Sequence, residues 1–324
     1  MKIIITGSAG FIGFHLAKEF LKKKYDVYGI DNFNDYYSPK LKKSRITILK
    51  KYSNFHFKLL DLNDYQKSLS IIKTIQPDCI YHLASQPGIM YSFKNPKTYK
   101  KNNIDVTINL IKICKIILPK KFYFTSSSSV YGNQKKYPLK ENSKLLPINF
   151  YANTKKKCEN LLQTSFKNSP IDLKIFRPFT VYGPYARPDM LFITYLKKCK
   201  EKANFSVYHE GNYIRDFTYV EDVAKILFLF FKVNKKKKNV FNICSSDPKK
   251  LIDIIKLIDK FSNLKCKLLM KPKRKGEMII TYGDNKYLKK TIKFTKFTSI
   301  ELGIKKTISW FNNYKNKNLF EFNE

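Results

Sequence analysis

The amino-acid sequence predicts an α/β protein, in which a doubly wound parallel sheet is joined to a smaller C-terminal lobe. Two observations lead to this class. In the first half, short apolar runs alternate with longer amphipathic segments, which is typical of a parallel sheet covered by helices on both faces. Beyond Phe179 this rhythm gives way to a turn-rich loop and shorter segments. With 324 residues, 43% of them hydrophobic, the chain is long enough for one large domain and a second lobe.

The alternation assigns the elements in order along the chain. The predicted strands are Lys2–Thr6, Asp26–Ile30, Phe55–Leu59, Cys79–Leu83, Lys121–Ser126 and Asp172–Phe176. The predicted helices are Ile12–Lys23, Tyr65–Ile75, Pro96–Ile117, Tyr151–Asn168 and residues 190–202.

The domain boundaries follow from the same pattern. A Rossmann-type dinucleotide-binding domain is predicted for residues 1–178, with a returning segment near 212–245. Residues 179–211 and 246–324 are predicted to form the smaller, substrate-binding lobe. The lysine-rich segment 234–238 is predicted to be a solvated turn.

The net charge of +38 admits two interpretations. A strongly basic chain can bind nucleic acid or an anionic membrane. The lysines, however, are scattered in runs of four or fewer, and none of these runs interleaves with aromatic residues as a base-stacking surface does. We therefore expect a biased composition, weak polyanion affinity as its side effect, no specific nucleic-acid partner and no membrane partner.

Cysteine, histidine and hydropathy patterns exclude several other classes. The six cysteines form no CxxC pair, which favours free thiols in a reducing cytoplasm. The four histidines form no cluster with cysteines, so no metal site is predicted. The apolar start of the chain is too short for a signal peptide, and Ile226–Phe231 is far below membrane-spanning length. A soluble, cytoplasmic protein is expected.

Three glycines spaced three apart follow the first predicted strand in the stretch TGSAGFIG. Gly7, Gly10 and Gly13 allow positive φ and close approach of backbone N–H groups to a pyrophosphate at a helix N-terminus. Asp31 ends the second strand, where a carboxylate accepts from ribose hydroxyls and repels a 2′-phosphate, which favours NAD over NADP. Asp61 follows the third strand, at a common adenine-edge position. A tight turn without a ligand is the alternative.

Tyr151 and Lys155 lie one helical turn apart, so that their side chains share a face. A nearby ammonium lowers the pKa of a phenol and lets it act as a base. The four serines Ser126–Ser129 end the fifth predicted strand, at the edge of the sheet where ligands bind, and a serine hydroxyl there can hold the substrate oxygen. The alternatives are an ordinary surface pair and a low-complexity loop.

Together these stretches resemble the extended short-chain dehydrogenase/reductase family over nearly the whole chain. Within it they are most similar to NAD-dependent nucleotide-sugar 4-epimerases, above all UDP-glucuronate 4-epimerases. The matching stretches are TGSAGFIG, IDNFNDYYSPKLK, DLND, YHLASQPGIMYSFKNP, SSSSVYG, YANTKK, FRPFTVYGPYARPDM, GNYIRDFTYVEDV and RKGE.

The resemblance implies a redox-neutral cycle on a UDP-sugar, with NAD kept as a bound hydride shuttle. Tyr151 would take the proton of the sugar 4-hydroxyl, NAD would accept the hydride, and a 4-keto intermediate would rotate before the hydride returns. Lys155 would hold the nicotinamide ribose, and Ser127 or Ser128 would bind the 4-oxygen. The resemblance also implies a homodimer formed through Pro96–Ile117 and Tyr151–Asn168 of each subunit.

Further binding roles are implied by position in the matching stretches. Further cofactor contacts would come from Phe11, Ile12, Asn32, Leu62, Leu83, Ala84, Ser85, Asn103, Ser126 and Pro178. The sugar would contact Gln86, Tyr91 and Thr180, with Arg187 on a uronate carboxylate. The diphosphate would be clamped by Arg215 and Arg274, with Glu277 on the uridine ribose.

The serine run and several differences from the family pattern bear on which other reactions and substrates stay open. The 4,6-dehydratases of this family carry an Asp-Glu pair before VYG and the decarboxylases a Glu, where this chain has Ser128-Ser129, so elimination and decarboxylation are disfavoured. Met90 stands where uronate epimerases usually have arginine. The stretch RPDMLF is one residue shorter than the corresponding stretch of the family, and RKGE differs from the family's usual residues at that place. UDP-glucose, UDP-N-acetylglucosamine and other uronates stay open as substrates. A non-catalytic NAD- or polyanion-binding protein is the remaining alternative.

Overall fold

A seven-stranded parallel sheet forms the centre of the protein, which a computed structural model describes for residues 1–233 and 239–313. Numbered along the whole chain, its strands are β1 (Lys2–Thr6), β2 (Asp26–Asp31), β3 (Phe55–Leu59), β4 (Cys79–His82), β5 (Lys121–Thr125), β6 (Asp172–Pro178) and β10 (Val240–Ile243). They lie in the order β10-β6-β5-β4-β1-β2-β3, and every neighbouring pair is parallel. The strand order reverses at β1, which is where ligands bind in doubly wound sheets.

Helices cover both faces of this sheet, as its buried strands require. Along β1, Ile3 and Ile5 face one core cluster and Ile4 faces the other, because successive side chains of a strand point to opposite faces. The first cluster includes α1 (Phe11–Lys22), α2 (Pro39–Leu49) and α9 (Val220–Phe231), and the second includes α3 (Tyr65–Ile75), α6 (Val106–Ile117) and α7 (Phe150–Ser165). The predicted α/β class with a doubly wound parallel sheet is confirmed.

The remaining elements are a helical segment between β4 and α6, two smaller sheets, and further helices and turns. Between β4 and α6 the chain forms α4 (Ile89–Lys94), α5 (Pro96–Tyr99) and a π-helical turn, Lys100–Asp105. One smaller sheet has four strands, β7 (Thr180–Tyr182), β9 (Ile214–Tyr219), β11 (Pro248–Lys250) and β13 (Ile280–Thr281). Another has two strands, β8 (Phe205–Tyr208) and β12 (Leu268–Lys271). The helices here are α8 (Leu191–Lys200), α10 (Leu251–Ser262), α11 (Lys286–Ile292) and α12 (Ile300–Asn313), and 3₁₀ turns are Ser128–Tyr131 and His209–Gly211.

The chain returns to the main sheet after first leaving it. β9 lies in the smaller sheet, then α9 packs against α1 and β10 adds to β6. The returning part of the sequence therefore begins at α9, later than residue 212, and the division into two domains stays a prediction. The turn predicted at 234–238 lies outside the described residues. Within the described ranges, no helix combines the length and the hydropathy needed to cross a membrane.

Two segments differ from the sequence prediction for physical reasons. The helix predicted at Pro96–Ile117 is interrupted by the π-helical turn at Lys100–Asp105, which the apolar periodicity does not reveal. The helix α2 was not predicted, because its buried face carries Lys42 and Arg45 beside Leu41 and Ile46. Buried basic side chains hide the apolar stripe by which an amphipathic helix is recognised.

A buried ion pair connects α7 to β6 beneath the carboxyl edge of the sheet. Arg177 donates to both carboxylate oxygens of Glu159, with Nε–Oε1 at 3.0 Å and Nη2–Oε2 at 2.6 Å. Their side chains are 4% and 1% exposed. Arg177 also donates to the Tyr131 hydroxyl, and Glu159 accepts from Ser126. Removal of one partner would therefore leave an uncompensated charge in the interior.

We expect the Arg177→Met variant to lose about 3–5 kcal/mol of unfolding free energy, because the buried Glu159 would lose the guanidinium with which it is paired. Urea denaturation measures this loss. The control is Lys100→Met, which removes an exposed ion pair with Asp105 and should cost about 0–1 kcal/mol. Equal losses in the two variants would contradict the role assigned to the buried pair.

Candidate active site

A cleft of about 330 Å³ opens at the carboxyl ends of the central strands. It lies at the reversal of strand order, so side chains that follow β1, β2, β4, β5 and β6 converge on it. Most residues that the sequence predicts for a site line this cleft. They are Gly7, Gly10, Phe11, Ile12, Gly13, Asp31, Asn32, Asp61, Leu62, Leu83, Ala84, Ser85, Gln86, Ser126, Ser127, Tyr151, Lys155, Pro178, Thr180 and Arg187.

The glycine turn between β1 and α1 is packed backbone against backbone. Gly7 has a φ of 72°, and a Cβ on it would lie 2.7 Å from the Ala84 nitrogen. A Cβ on Gly13 would lie 2.1 Å from the Gly7 carbonyl oxygen. Side chains are excluded at both positions, so the first turn of α1 presents its backbone to the cleft. A helix N-terminus free of side chains is suited to an anionic group such as a pyrophosphate.

Asp31 ties the glycine turn to the loop after β2. Its carboxylate accepts from the Ala9 backbone N–H at 3.1 Å and from the Phe33 N–H at 2.9 Å. Burial raises the pKa of this carboxyl, although Lys42 and the two backbone N–H groups act in the opposite direction. Asp61, at the end of β3, is more exposed. Burial works to raise its pKa, but hydrogen bonds from Asn63 and Asn32 lower it below the ordinary value.

Gln86 presents an unpaired donor within the described residues. Its Oε1 accepts from Asn34 Nδ2 at 2.9 Å, and its backbone N–H donates to Asn103 Oδ1 at 2.6 Å. Its Nε2 is buried without a hydrogen-bond partner in the described protein. A buried donor of this kind is costly unless an acceptor meets it, so the cleft wall is built for a polar ligand.

Asn103 does not line the cleft but holds the residues that do. It lies in the π-helical turn, where its side chain binds the Gln86 backbone and donates to Thr154 Oγ1 at 2.9 Å. Thr154 in turn donates to the Tyr151 carbonyl at 2.7 Å. Asn103 is therefore a positioning residue between the loop after β4 and helix α7, and its predicted cofactor contact stays a prediction.

Tyr151 lies on the first turn of α7 and faces the end of β5. Burial raises the pKa of its phenol above the ordinary value, while a hydrogen bond with the Ser127 side chain and the charge of Arg187 lower it. The Lys155 ammonium instead donates to the Thr125 carbonyl at 2.9 Å and lies 4.9 Å from the centre of the Phe124 ring. Lys155 is not among the groups that act on the pKa of Tyr151 in this arrangement, and the expectation that it lowers that pKa stays a prediction. Burial lowers the pKa of Lys155 itself to about 8.

The serine run divides between the cleft and the interior. Ser126 and Ser127 line the cleft, and the Ser126 hydroxyl donates to Glu159. Ser128 and Ser129 are buried in a 3₁₀ turn outside the lining residues, and Ser127 caps this turn by accepting from the Ser129 N–H at 3.1 Å. The geometry favours Ser127 over Ser128 as the partner of Tyr151.

Arg187 lines the cleft, but one edge of its guanidinium is already paired. Nε and Nη2 each donate to a carboxylate oxygen of Asp189 at 3.0 Å. Asp189 also accepts from the Tyr36 hydroxyl at 3.2 Å. The sequence reasoning did not name Asp189, Tyr36, Asn34 or Lys42, although they lie in stretches it quoted, because spacing alone gives no sign of such contacts.

The residues predicted to bind a nucleoside diphosphate form a second cluster outside the lining of the cleft. Arg215 Nη2 lies 3.8 Å from Glu277 Oε1, and the Arg215 guanidinium lies over the Tyr213 ring. Arg274 stacks on Tyr208, with 3.6 Å between the guanidinium carbon and the ring centre. The Arg274 backbone N–H donates to the Tyr213 hydroxyl at 3.0 Å, so the two arginines and the carboxylate lie close together, and their binding of a nucleoside diphosphate stays a prediction. Tyr91 packs elsewhere, 5.1 Å from the Tyr36 ring.

Comparison with known proteins assigns the family. The sequence model of the NAD dependent epimerase/dehydratase family matches residues 3–244, which include the glycine turn, Tyr151 and Lys155. The chain belongs to this family. Its members depend on NAD, and the resemblance found in the sequence is confirmed.

Three relatives show the range within the family. An uncharacterized protein of Methanocaldococcus jannaschii is 38% identical over 312 residues, or 95% of either chain. UDP-glucuronic acid 4-epimerase from Bacillus cereus, solved with UDP-glucuronic acid and NAD, has a TM-score of 0.90 and 33% identity over 96% of this chain and 99% of its own. UDP-glucose 4-epimerase from Thermotoga maritima, solved with UDP-glucose, has a TM-score of 0.87 and 26% identity over 96% and 99%.

The cleft fits the cofactor of this family on its own geometry. The tightly packed glycine turn excludes side chains and presents backbone to the cleft, Asp31 presents a carboxylate at the end of β2, and Gln86 offers a donor unpaired within the described protein. These features line the same cleft as Tyr151 and Ser127.

We expect the Gly13→Ala variant to lose NAD binding, because the added Cβ would lie 2.1 Å from the Gly7 carbonyl oxygen and displace the turn. Isothermal titration with NAD measures the loss, and far-UV circular dichroism checks that the fold persists. Lys22→Ala, an exposed change at the other end of the same helix, is the control and should bind as the unchanged protein does. Undiminished NAD affinity in Gly13→Ala would show that the cofactor does not use this turn.

Proposed function

We propose that this protein is an NAD-dependent UDP-sugar 4-epimerase whose leading reaction interconverts UDP-glucuronate and UDP-galacturonate. One observation supports this proposal above the others. The Tyr151 phenol and the Ser127 hydroxyl line the same cleft as the glycine turn, and Ser127 acts to lower the pKa of the phenol. A proton acceptor and a hydroxyl that can bind the same sugar oxygen thus lie beside a dinucleotide site, which is what oxidation at a carbinol carbon requires.

The side chains at this end of the cleft divide the proton chemistry between them. Tyr151 would take the proton of the 4-hydroxyl and return it after the sugar has turned, with Ser127 bound to the same oxygen. Because burial opposes ionisation of the phenol, the Ser127 hydrogen bond and the charge of Arg187 are the groups that make the phenolate accessible. NAD, when bound, supplies reversible hydride acceptance.

The preference for NAD over NADP is proposed from Asp31, at the end of β2. The Asp31 carboxylate would accept from the adenosine ribose hydroxyls and would repel a 2′-phosphate, so NAD is proposed over NADP. Lys155, buried and bonded to the Thr125 carbonyl, is held where it can donate to the nicotinamide ribose.

The distribution of carboxylates favours epimerisation over elimination. Among the described residues that line the cleft, the carboxylates are Asp31 and Asp61, at the ends of β2 and β3. Loss of water from a sugar needs a further acid and base beside the tyrosine. Ser128 and Ser129 offer neither, since both are hydroxyls buried in the 3₁₀ turn.

A second candidate is a 4-epimerase of UDP-glucose or UDP-N-acetylglucosamine. It is favoured by the pairing of Arg187 with Asp189, because this arginine is the residue proposed for a uronate carboxylate. The likeness to the UDP-glucose 4-epimerase of Thermotoga maritima also supports it.

Assembly and location are part of the proposal. We propose a cytoplasmic homodimer in which α6 and α7 of each subunit form the interface. Ile116 and Leu118, at the end of α6, are 55% and 53% exposed, which is consistent with an apolar surface that a second copy covers.

Turnover of nucleotide sugars tests the proposed reaction. Purified protein incubated with UDP-glucuronate, with and without added NAD, is expected to form UDP-galacturonate, observed by ¹H NMR. UDP-glucose and UDP-N-acetylglucosamine are assayed in parallel. A 4-keto-6-deoxy sugar or a pentose as product would replace epimerisation by dehydration or decarboxylation, and no conversion of any of the sugars would refute the proposal.

We expect Tyr151→Phe to lower kcat by roughly 10²–10⁴-fold while NAD binding persists, because the variant keeps the ring and loses the proton acceptor. Tyr25→Phe makes the same change at a tyrosine packed against Phe20 and Phe231, away from the cleft, and should leave kcat unchanged. Full activity in Tyr151→Phe would mean that another group carries the proton.

A further inference from the structure

One asparagine, Asn149, contacts two parts of the molecule that the proposed reaction has to bring together. It is the residue before α7, and its side chain is buried, with 3% of the residue exposed. Its Oδ1 accepts from the Ala152 backbone N–H at 2.8 Å, which caps the helix whose first turn carries Tyr151. Because Oδ1 is committed to this cap, the amide presents its Nδ2 as a donor to another segment.

The acceptor for that donor is the backbone of the RKGE stretch, Arg274–Glu277. Asn149 Nδ2 donates to the Gly276 carbonyl oxygen at 3.2 Å. Gly276 has a φ of 76°, a left-handed conformation that residues with side chains rarely adopt, and a Cβ on it would lie 2.5 Å from Phe93 Cζ. The glycine therefore lets the stretch pack closely between Phe93 of α4 and the start of α7.

The same stretch carries two members of the second cluster, Arg274 and Glu277. The Arg274 guanidinium stacks on Tyr208 of β8, and Glu277 Oε1 lies 3.8 Å from Nη2 of Arg215, which belongs to β9. These contacts hold the RKGE stretch to the two smaller sheets. The hydrogen bond from Asn149 connects it to α7 as well, and so to the helix that presents the proposed proton acceptor.

We propose that Asn149 is a positioning residue: it holds the RKGE stretch against α7, so that the second cluster can bind the diphosphate of a nucleotide sugar whose sugar lies at Tyr151. The inference rests on the proposed function, because it takes the substrate to be a nucleoside diphosphate sugar. Such a substrate has to contact both regions at once, since its diphosphate and its sugar are joined covalently. A hydrogen bond that fixes the separation of the two regions beforehand lowers the entropy cost of binding.

The Asn149→Asp variant tests this inference with little change in side-chain size. Aspartate caps helices as well as asparagine does, so α7 keeps its cap. An ionised carboxylate has no N–H and would place an oxygen against the Gly276 carbonyl oxygen, so the hydrogen bond to the RKGE stretch is lost. We expect the affinity of the NAD-loaded protein for UDP, measured by isothermal titration, to fall by about tenfold. The affinity for NAD and the urea midpoint of unfolding should not change.

Two further measurements isolate the cause. Asn54→Asp removes the same kind of bond, from Asn54 Nδ2 to the Tyr25 carbonyl at 2.6 Å, at the amino ends of β2 and β3. This control should leave the affinities for UDP and for NAD unchanged. Hydrogen exchange followed by mass spectrometry should show faster exchange of residues 273–278 in Asn149→Asp, with no change in α7.

The outcomes separate the inference from the proposed function. An unchanged UDP affinity, or unchanged exchange of the RKGE stretch, in Asn149→Asp would overturn the inference alone. An equal loss of UDP affinity and NAD affinity would also overturn it, since Asn149 would then be needed for the fold as a whole. A selective loss of UDP affinity, without turnover of any UDP-sugar by the unchanged protein, would overturn the proposed function alone. Absence of saturable UDP binding by the unchanged protein would overturn both.

Discussion

The close approach of backbone to backbone at the glycine turn is the constraint on which the rest of the site depends. Gly7 lies against Ala84, so the ends of β1 and β4 are brought together with no side chain between them. The Thr6 hydroxyl fixes the same junction by accepting from the Leu83 and Ala84 N–H groups at 3.2 and 3.1 Å. Asp31 attaches β2 through the Ala9 N–H. The ends of the neighbouring strands β4, β1 and β2 are thereby held together, and they form one side of the cleft.

Helix α7, which carries Tyr151, is connected to these strand ends by buried polar contacts. Helix α7 is attached through Lys155 to the end of β5, through Glu159 to Ser126 and Arg177, and through Thr154 to Asn103. Tyr151 therefore lies on a rigid helix whose distance from the sheet edge is set at three points. A side chain held in this way does not need to be ordered when a ligand binds.

The sequence predicts those features whose physical cause is local. The alternation of apolar runs predicts the strands of the sheet through β6, and the spacing of Tyr151 and Lys155 on one face of a helix places both in the cleft. Contacts between distant segments leave no such pattern. Neither the pairing of Arg187 with Asp189 nor the bond from Lys155 to Thr125 can be inferred from spacing, because each depends on how two chain segments meet. The burial that raises the pKa of Tyr151 cannot be inferred from spacing either, since it depends on the complete tertiary structure.

The π-helical turn at Lys100–Asp105 makes the length of this segment as important as its composition. A π turn holds more residues per turn than an α-helix, so deletion of one residue would let the segment relax into regular α-helix. Asn103 and the residues of α6 would then rotate relative to each other by about 100°. The contacts of Asn103 with Gln86 and Thr154 could not survive that rotation. The segment that contains this turn and α6 can therefore accept substitutions on its solvent-exposed face, but it cannot accept an insertion or a deletion.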